Sequence, residues 1–313
     1  MAMSVISTSR DEVCSATGSF SRFFTGISIA MFAMFSAVTL SCPAQAMNIQ
    51  TITSPGGIKA WLVEEHSVPL MALRFGFDGG NSQDPVGKDG VANFITAMMD
   101  EGAGDLTSDA FQERMEDIAM RMSYDDAKDA LYGSFETLTV NRDKAVELLK
   151  LAIQKPRFDD DAVERIRQQL LASLAYADKD PEKVAGREWY SLAFAGHPYA
   201  RPSSGTVASV SKITRDDLAA FYKRTFAKSN LKVVVVGDID AATLGKVLDD
   251  VFGGLPDTAD LLPVAKTLPI SGQQKIIEMN VPQSVAVFGL GAMARKDPDF
   301  MAAFVVNHIL GGG

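Results

Sequence analysis

Side chains that could bind a metal or act as a nucleophile are scarce in this sequence. Its 313 residues include three histidines, His66, His197 and His308, and two cysteines, Cys14 and Cys42. That count nearly excludes a centre built from several Cys or His ligands. No Ser-His-Asp or Cys-His set can be assembled with support from spacing. No glycine-rich phosphate loop follows a strand, because Gly311-Gly312-Gly313 comes after a helical pattern. Asp100 and Glu101 fall at the expected carboxyl end of a helix, where acids oppose the helix dipole. Such a charge either marks function or belongs to a solvated helix end, and the second is the plainer reading. His197, between Gly196 and Pro198, is read as ordering a turn. His66 is read as a surface residue of a polar hairpin loop, and His308 as a packing residue within an apolar helix.

The elements that must position these residues follow from hydrophobic spacing. Ile58–Val63 and Leu70–Phe77 are two β-rich runs joined by the polar Glu64-Glu65-His66-Ser67. Helical spacing begins near Gly90, with Val91, Phe94, Ile95, Met98 and Met99 on one face, and Gly102-Ala103-Gly104 stops it. Thr107 or Ser108 can cap a helix carrying Phe111, Met115 and Ile118. Ala130–Val140 alternates like a long strand. Helices are expected over Asn141–Ile153, from Asp159 or Asp160 through Leu174, and over Pro181–Phe194. Thr214 and Asp217 have capping-box spacing ahead of Leu218–Phe226. Leu231–Val236 is a continuous β-branched run that predicts a central strand, and Ala241–Phe252 a helix. The methionines, among them Met98, Met99, Met115, Met120 and Met122, fall at helix-face positions and are read as core. After Gly253-Gly254-Leu255-Pro256 the composition changes, placing a linker at 257–274; Ser284–Gly291 then reads as a strand and Asp299–Leu310 as a helix. One strand and one helix cannot bury a core, so the ending is expected to be a cut within a second domain.

The chain is 47% hydrophobic with a net charge of −9 and has no run of Lys or Arg, which makes nucleic acid and anionic lipid poor partners. Its length suits about two domains. Residues 1–46 do not read as fold. Arg10 and Arg22 precede the apolar run Phe23–Leu40, and small residues flank a cut after Ala46. That is a secretory signal pattern; the alternative is an uncleaved membrane anchor, since the run is about long enough to span a bilayer. Cleavage there removes both cysteines, and export without disulfides points to the periplasm.

Four segments carry a family resemblance. Gly90-Val91-Ala92-Asn93-Phe94-Ile95-Thr96-Ala97-Met98-Met99 resembles the metal-binding helix of the insulinase (pitrilysin) metallopeptidases, whose pattern is His-x-x-Glu-His. Gly196-His197-Pro198-Tyr199 with Gly205, and Val233–Ile239, resemble recurring segments of that family. Asn307-His308-Ile309-Leu310-Gly311-Gly312-Gly313 resembles a stretch near the start of its second domain. The resemblance covers 47–313. It implies an α+β fold, a two-layer domain whose mixed, mostly antiparallel sheet is covered by helices (47–256), then a linker (257–274) and a truncated second copy (275–313).

The resemblance also implies a zinc site that these residues cannot build. Positions i, i+3 and i+4 share one helix face, so two imidazoles can meet one zinc while the glutamate activates its water. Here they are Asn93, Thr96 and Ala97, and the stretch matching the third ligand, 166–177 with Ser173, has no carboxylate. The expectation is therefore no catalytic residue, no metal ligand and no cofactor. Degenerate copies of this family can pair with an active copy and enclose unstructured peptide, so the expected partners are an insulinase-family subunit with an intact metal motif and unstructured peptides. A stand-alone envelope peptide-binding scaffold is the first alternative, and a zinc metalloendopeptidase with unusual ligands, drawing on Asp100 or Glu101, the second.

Overall fold

The computed structural model describes residues 48–312. The leader, with Cys14 and Cys42, lies outside the described residues.

Alternation of apolar and polar residues produces the sheet. β1 (Gln50–Thr53), β2 (Lys59–Glu64), β3 (Leu70–Asp78), β4 (Arg121–Asp126), β5 (Ala130–Leu138) and β6 (Leu231–Gly237) assemble in the order β1-β2-β6-β3-β5-β4. Only β2 and β6 run parallel; every other neighbouring pair is antiparallel. Leu62, Met71, Leu73, Phe75, Phe77, Phe135, Val233 and Val235 point into the core. Trp61, Arg74, Tyr132 and Val236 alternate with them and are exposed.

The buried face packs on helices. The helices among the described residues are α1 (Val91–Thr96), α2 (Ser108–Asp117), α3 (Arg142–Gln154), α4 (Asp160–Ala177), α5 (Pro181–Ala193), α6 (Val207–Val210), α7 (Arg215–Thr225), α8 (Ala241–Phe252) and α9 (Phe300–Asn307), of which α9 buries no residue. One hydrophobic cluster runs from Ile58 to Leu255 and draws on the sheet and on α1 to α4 and α6 to α8. Local caps agree with the tertiary structure. Asp240 accepts from Ala242 and Thr243 N–H, and Thr214 and Asp217 form a reciprocal capping box. At Gly133 a Cβ would lie 2.0 Å from Phe75 Cζ, so only glycine lets that ring lie across β5. The ring's other neighbours are Phe77, Tyr124 and Phe252, with centroids 6.0, 5.9 and 5.5 Å away.

Several expectations need correction. The helix from Val91 stops at Thr96, short of Met99, and Met98 and Met99 are buried in the turns that follow. Met122 is core, but it lies on the edge strand β4. Ser284–Gly291 forms no strand and pairs with no other strand of the described chain, and 253–299 contains neither helix nor strand. His308 is exposed just beyond α9, whose apolar residues Met301, Phe304, Val305 and Val306 are also exposed.

Candidate functional site

α1 begins at Gly90, whose φ of 99° only glycine takes without strain and whose missing side chain leaves the helix with no local cap. The cap comes from Asp84, six residues upstream. Its Oδ2 accepts the Gly90 N–H at 2.7 Å and its Oδ1 the Ala92 N–H at 2.9 Å. Asp84 is only 4% exposed. Burial pushes its carboxyl up to about 7, against the opposing pull of the two amide bonds and of Arg201. Arg201 fastens the surrounding loop. Its guanidinium donates to Asp84 O at 2.7 Å and Ser82 O at 3.0 Å, and pairs with Asp89 at 3.3 Å.

The face of α1 that carries Asn93 meets β4. Asn93 Nδ2 donates to Asp126 Oδ1 at 2.9 Å, and Asn81 Nδ2 donates to Asp126 Oδ2 at 2.9 Å, so both carboxylate oxygens of Asp126 accept amides. Thr96, 8% exposed, turns its hydroxyl back to Asn93 O at 2.8 Å. Ala97 follows as the helix ends. Ser173 is exposed on α4 and takes no part in this hydrogen-bonded group. The contact between α4 and α1 is made by Arg167, which lies 5.5 Å from the Phe94 ring centroid and donates to Val210 O at 2.7 Å. Lys128, beside the cluster, donates to Arg201 O at 2.9 Å; burial pulls its ammonium below the ordinary value, with Asp126 and Asp84 opposing.

The two acids beyond α1 are not a solvated helix end. Glu101 accepts from Ser108 Oγ at 2.6 Å and pairs with Arg165 of α4. Asp100 is half-buried, and burial pushes its carboxyl above the usual range, reinforced by the charge of Glu101. His197 orders its turn: Nδ1 accepts the Tyr199 N–H at 3.2 Å, which leaves the proton on Nε2, 2.9 Å from Ala265 O. Among the described residues, no three His, Cys, Asp or Glu side chains gather as a metal ion would require.

His66 is exposed as expected, yet it bridges β2 to the end of β6 through Asp238, 2.6 Å from Nδ1. The bond to Asp238 raises the His66 pKa, and the same bond lowers that of Asp238. The folded imidazole holds its proton to higher pH than the unfolded one. Its contribution is therefore complete below the ordinary value of 6.5 and disappears as pH rises through the raised folded value. The stability difference between wild type and His66→Gln, followed by urea unfolding, is expected to be largest below pH 6.5 and to shrink as pH rises through the raised folded value.

Asp84 and Asp126 were not singled out by sequence reasoning. The available signal was a glycine at a helix start that could not cap itself, which requires an acceptor from elsewhere.

Residues 61–207 match the family described as Insulinase (Peptidase family M16), and residues 212–313 match the Peptidase M16 inactive domain. The chain belongs to the insulinase family. A solved structure titled as a peptidase M16 inactive domain, from Pseudomonas fluorescens, superposes on this insulinase-family chain with a TM-score of 0.75 at 29% identity, covering 85% of this chain and 65% of that one. The relative named Non-peptidase homolog YmxG, from Helicobacter pylori, is 28% identical over 80% of this chain and 58% of its own length. Mitochondrial-processing peptidase subunit beta from Lentinula edodes is 22% identical over 75% of this chain and 52% of its own. The chain thus spans little more than half the length of these curated relatives.

Proposed function

We propose that this protein is a non-catalytic insulinase-family subunit that pairs with an active zinc metallopeptidase of the same family and contributes wall and binding surface to a peptide-holding cavity. Asn93, Thr96 and Ala97 stand, on this reading, where an active copy carries His, Glu and His, and Ser173 where it carries the third ligand. The donors present do not fit zinc. One is a neutral amide, one a hydroxyl, one a methyl, and the zinc site prefers imidazole, thiolate and carboxylate.

The observation that carries the proposal is the closure of this face on itself. The Asn93 amide is spent on Asp126, and the Thr96 hydroxyl on Asn93 O. The acids nearest α1 support the same reading, because Glu101 is neutralised by Arg165 and Asp84 is occupied by two backbone amides. The name of the Helicobacter pylori relative and the subunit status of the mitochondrial-processing relative agree with a non-peptidase partner role. The binding surface would be the outer edge of β4, an edge strand beside α1, where an extended peptide can add through backbone hydrogen bonds. The protein would be exported through residues 1–46 and act in the periplasm, free after cleavage or anchored by the same segment.

Affinity purification of the full-length protein from its native envelope tests the proposal. An insulinase-family chain with an intact His-x-x-Glu-His is expected to co-purify, and its peptidase activity to depend on the pair. Elution alone, with that partner's proteolysis unchanged, would contradict it.

A further inference from the structure

Between Pro256 and Asp299 the chain has neither helix nor strand, yet its first part is fastened to the first domain at short intervals. The Lys228 N–H donates to Pro256 O at 2.9 Å and the Ser229 N–H to Asp257 O at 3.0 Å. The Ala259 N–H donates to Ser229 Oγ at 3.0 Å, and the Asp260 N–H to Arg224 O at 2.9 Å. Leu261 packs where a side chain on Gly79 would stand, since a Cβ there would lie 2.6 Å from Leu261 Cδ2. Further on, Ala265 O faces His197 Nε2, and the Ile270 N–H donates to Ala193 O at 2.7 Å.

The central fastening is unusual in kind. Gln83 is 2% exposed, and its side-chain amide exchanges two hydrogen bonds with the backbone of one residue: Nε2 donates to Leu262 O at 3.0 Å, and Oε1 accepts the Leu262 N–H at 2.7 Å. A side chain thereby does what a neighbouring strand does for a single residue. Gln83 is itself held, as Arg224 donates to its carbonyl at 3.1 Å. It immediately precedes Asp84, which caps α1, and shares a one-turn helix with Asn81, which donates to Asp126. Two elements that pack against α1 are gripped by the same segment, the loop at 79–84 and α7 through Arg224, and so is the turn at His197, which meets that loop.

We propose that residues 256–270 are a strap latched by Gln83 and His197, and that seating of the strap sets how firmly the amino end of α1 is held. A movement of whatever follows residue 270 is thereby transmitted through Leu262 and Gln83 to the Asp84 cap. The segment is a mechanical connection, not a passive tether.

Hydrogen exchange on the full chain tests this. Gln83→Leu keeps the side-chain volume and removes both hydrogen bonds. It is expected to speed exchange of the Leu262 amide at least tenfold and of the Ala92 and Phe94 amides of α1 at least threefold, leaving the β3 amides at wild-type rates. Leu262→Pro removes the same N–H from the strap side, outside the core of the first domain. It is expected to speed the same two α1 amides to the same extent. An unchanged Leu262 amide in Q83L overturns the latch. α1 amides that keep wild-type rates in either variant overturn the coupling.

Discussion

Asp84→Ala is expected to lower stability by about 3 kcal/mol, because it strands two buried backbone donors at once. Gly90 cannot cap α1, so nothing else in the described chain replaces Asp84 at those N–H groups. The effect carries a pH signature. The folded carboxyl titrates at about 7 against an ordinary 3.8, so between those values the folded protein keeps a proton that the unfolded chain has released. Stability attributable to this group therefore falls as pH rises across that window and is level outside it. Asp84→Asn, which keeps the shape and one acceptor, is expected to be less damaging than alanine and to remove that slope. Urea midpoints measured from pH 4 to pH 8 on the three proteins check both statements.

Gly133→Ala is expected to be as harmful, at about 3 kcal/mol, although it adds a single methyl group. The new Cβ would lie 2.0, 2.4 and 2.6 Å from three atoms of the Phe75 ring, so the ring itself must leave its place. Phe75 sits among Phe77, Tyr124 and Phe252 at the centre of the core, and its displacement disturbs all three contacts. A second substitution separates this from a backbone effect. Gly133 has no positive φ, so alanine is conformationally allowed there, and Phe75→Leu in the Gly133→Ala background should recover part of the loss. Chemical denaturation of the four proteins of that cycle gives the coupling. If the two losses simply add, the steric account is wrong.

The elements legible in the sequence are those whose local signals and tertiary burial agree. β3 and β5 alternate, β6 is a β-branched run paired on both sides, and α7 and α8 carry caps that the structure uses as written. β4 was missed because Arg-Met-Ser-Tyr-Asp-Asp is mostly polar, and an edge strand paired on one side needs only one apolar face. Ser284–Gly291 shows the opposite failure: its apolar run is strand-like, but a strand exists only where a neighbour supplies hydrogen bonds. At the site, the family resemblance picked out Asn93, Thr96 and Ala97, and helix spacing puts them on one face. Neither could show that Asp126, 33 residues away, takes up the Asn93 amide, or that Asp84 reaches across a loop to cap α1. Asp84 lies in Gln-Asp-Pro-Val-Gly, which reads as a turn, and only the tertiary fold directs its carboxylate at a helix end. Asp100 and Glu101 looked like a solvated pair for the same reason, since Arg165 arrives from a helix far along the chain.

The central claim is that the α1 face holds no zinc and that the isolated chain cuts nothing. Elemental analysis of the purified full-length protein after incubation with zinc, paired with a peptidase assay on the same sample, tests it most directly. The account predicts zinc far below one ion per chain and no hydrolysis that a chelator removes. One tightly held zinc per chain, or chelator-sensitive cleavage by the isolated polypeptide, would contradict it.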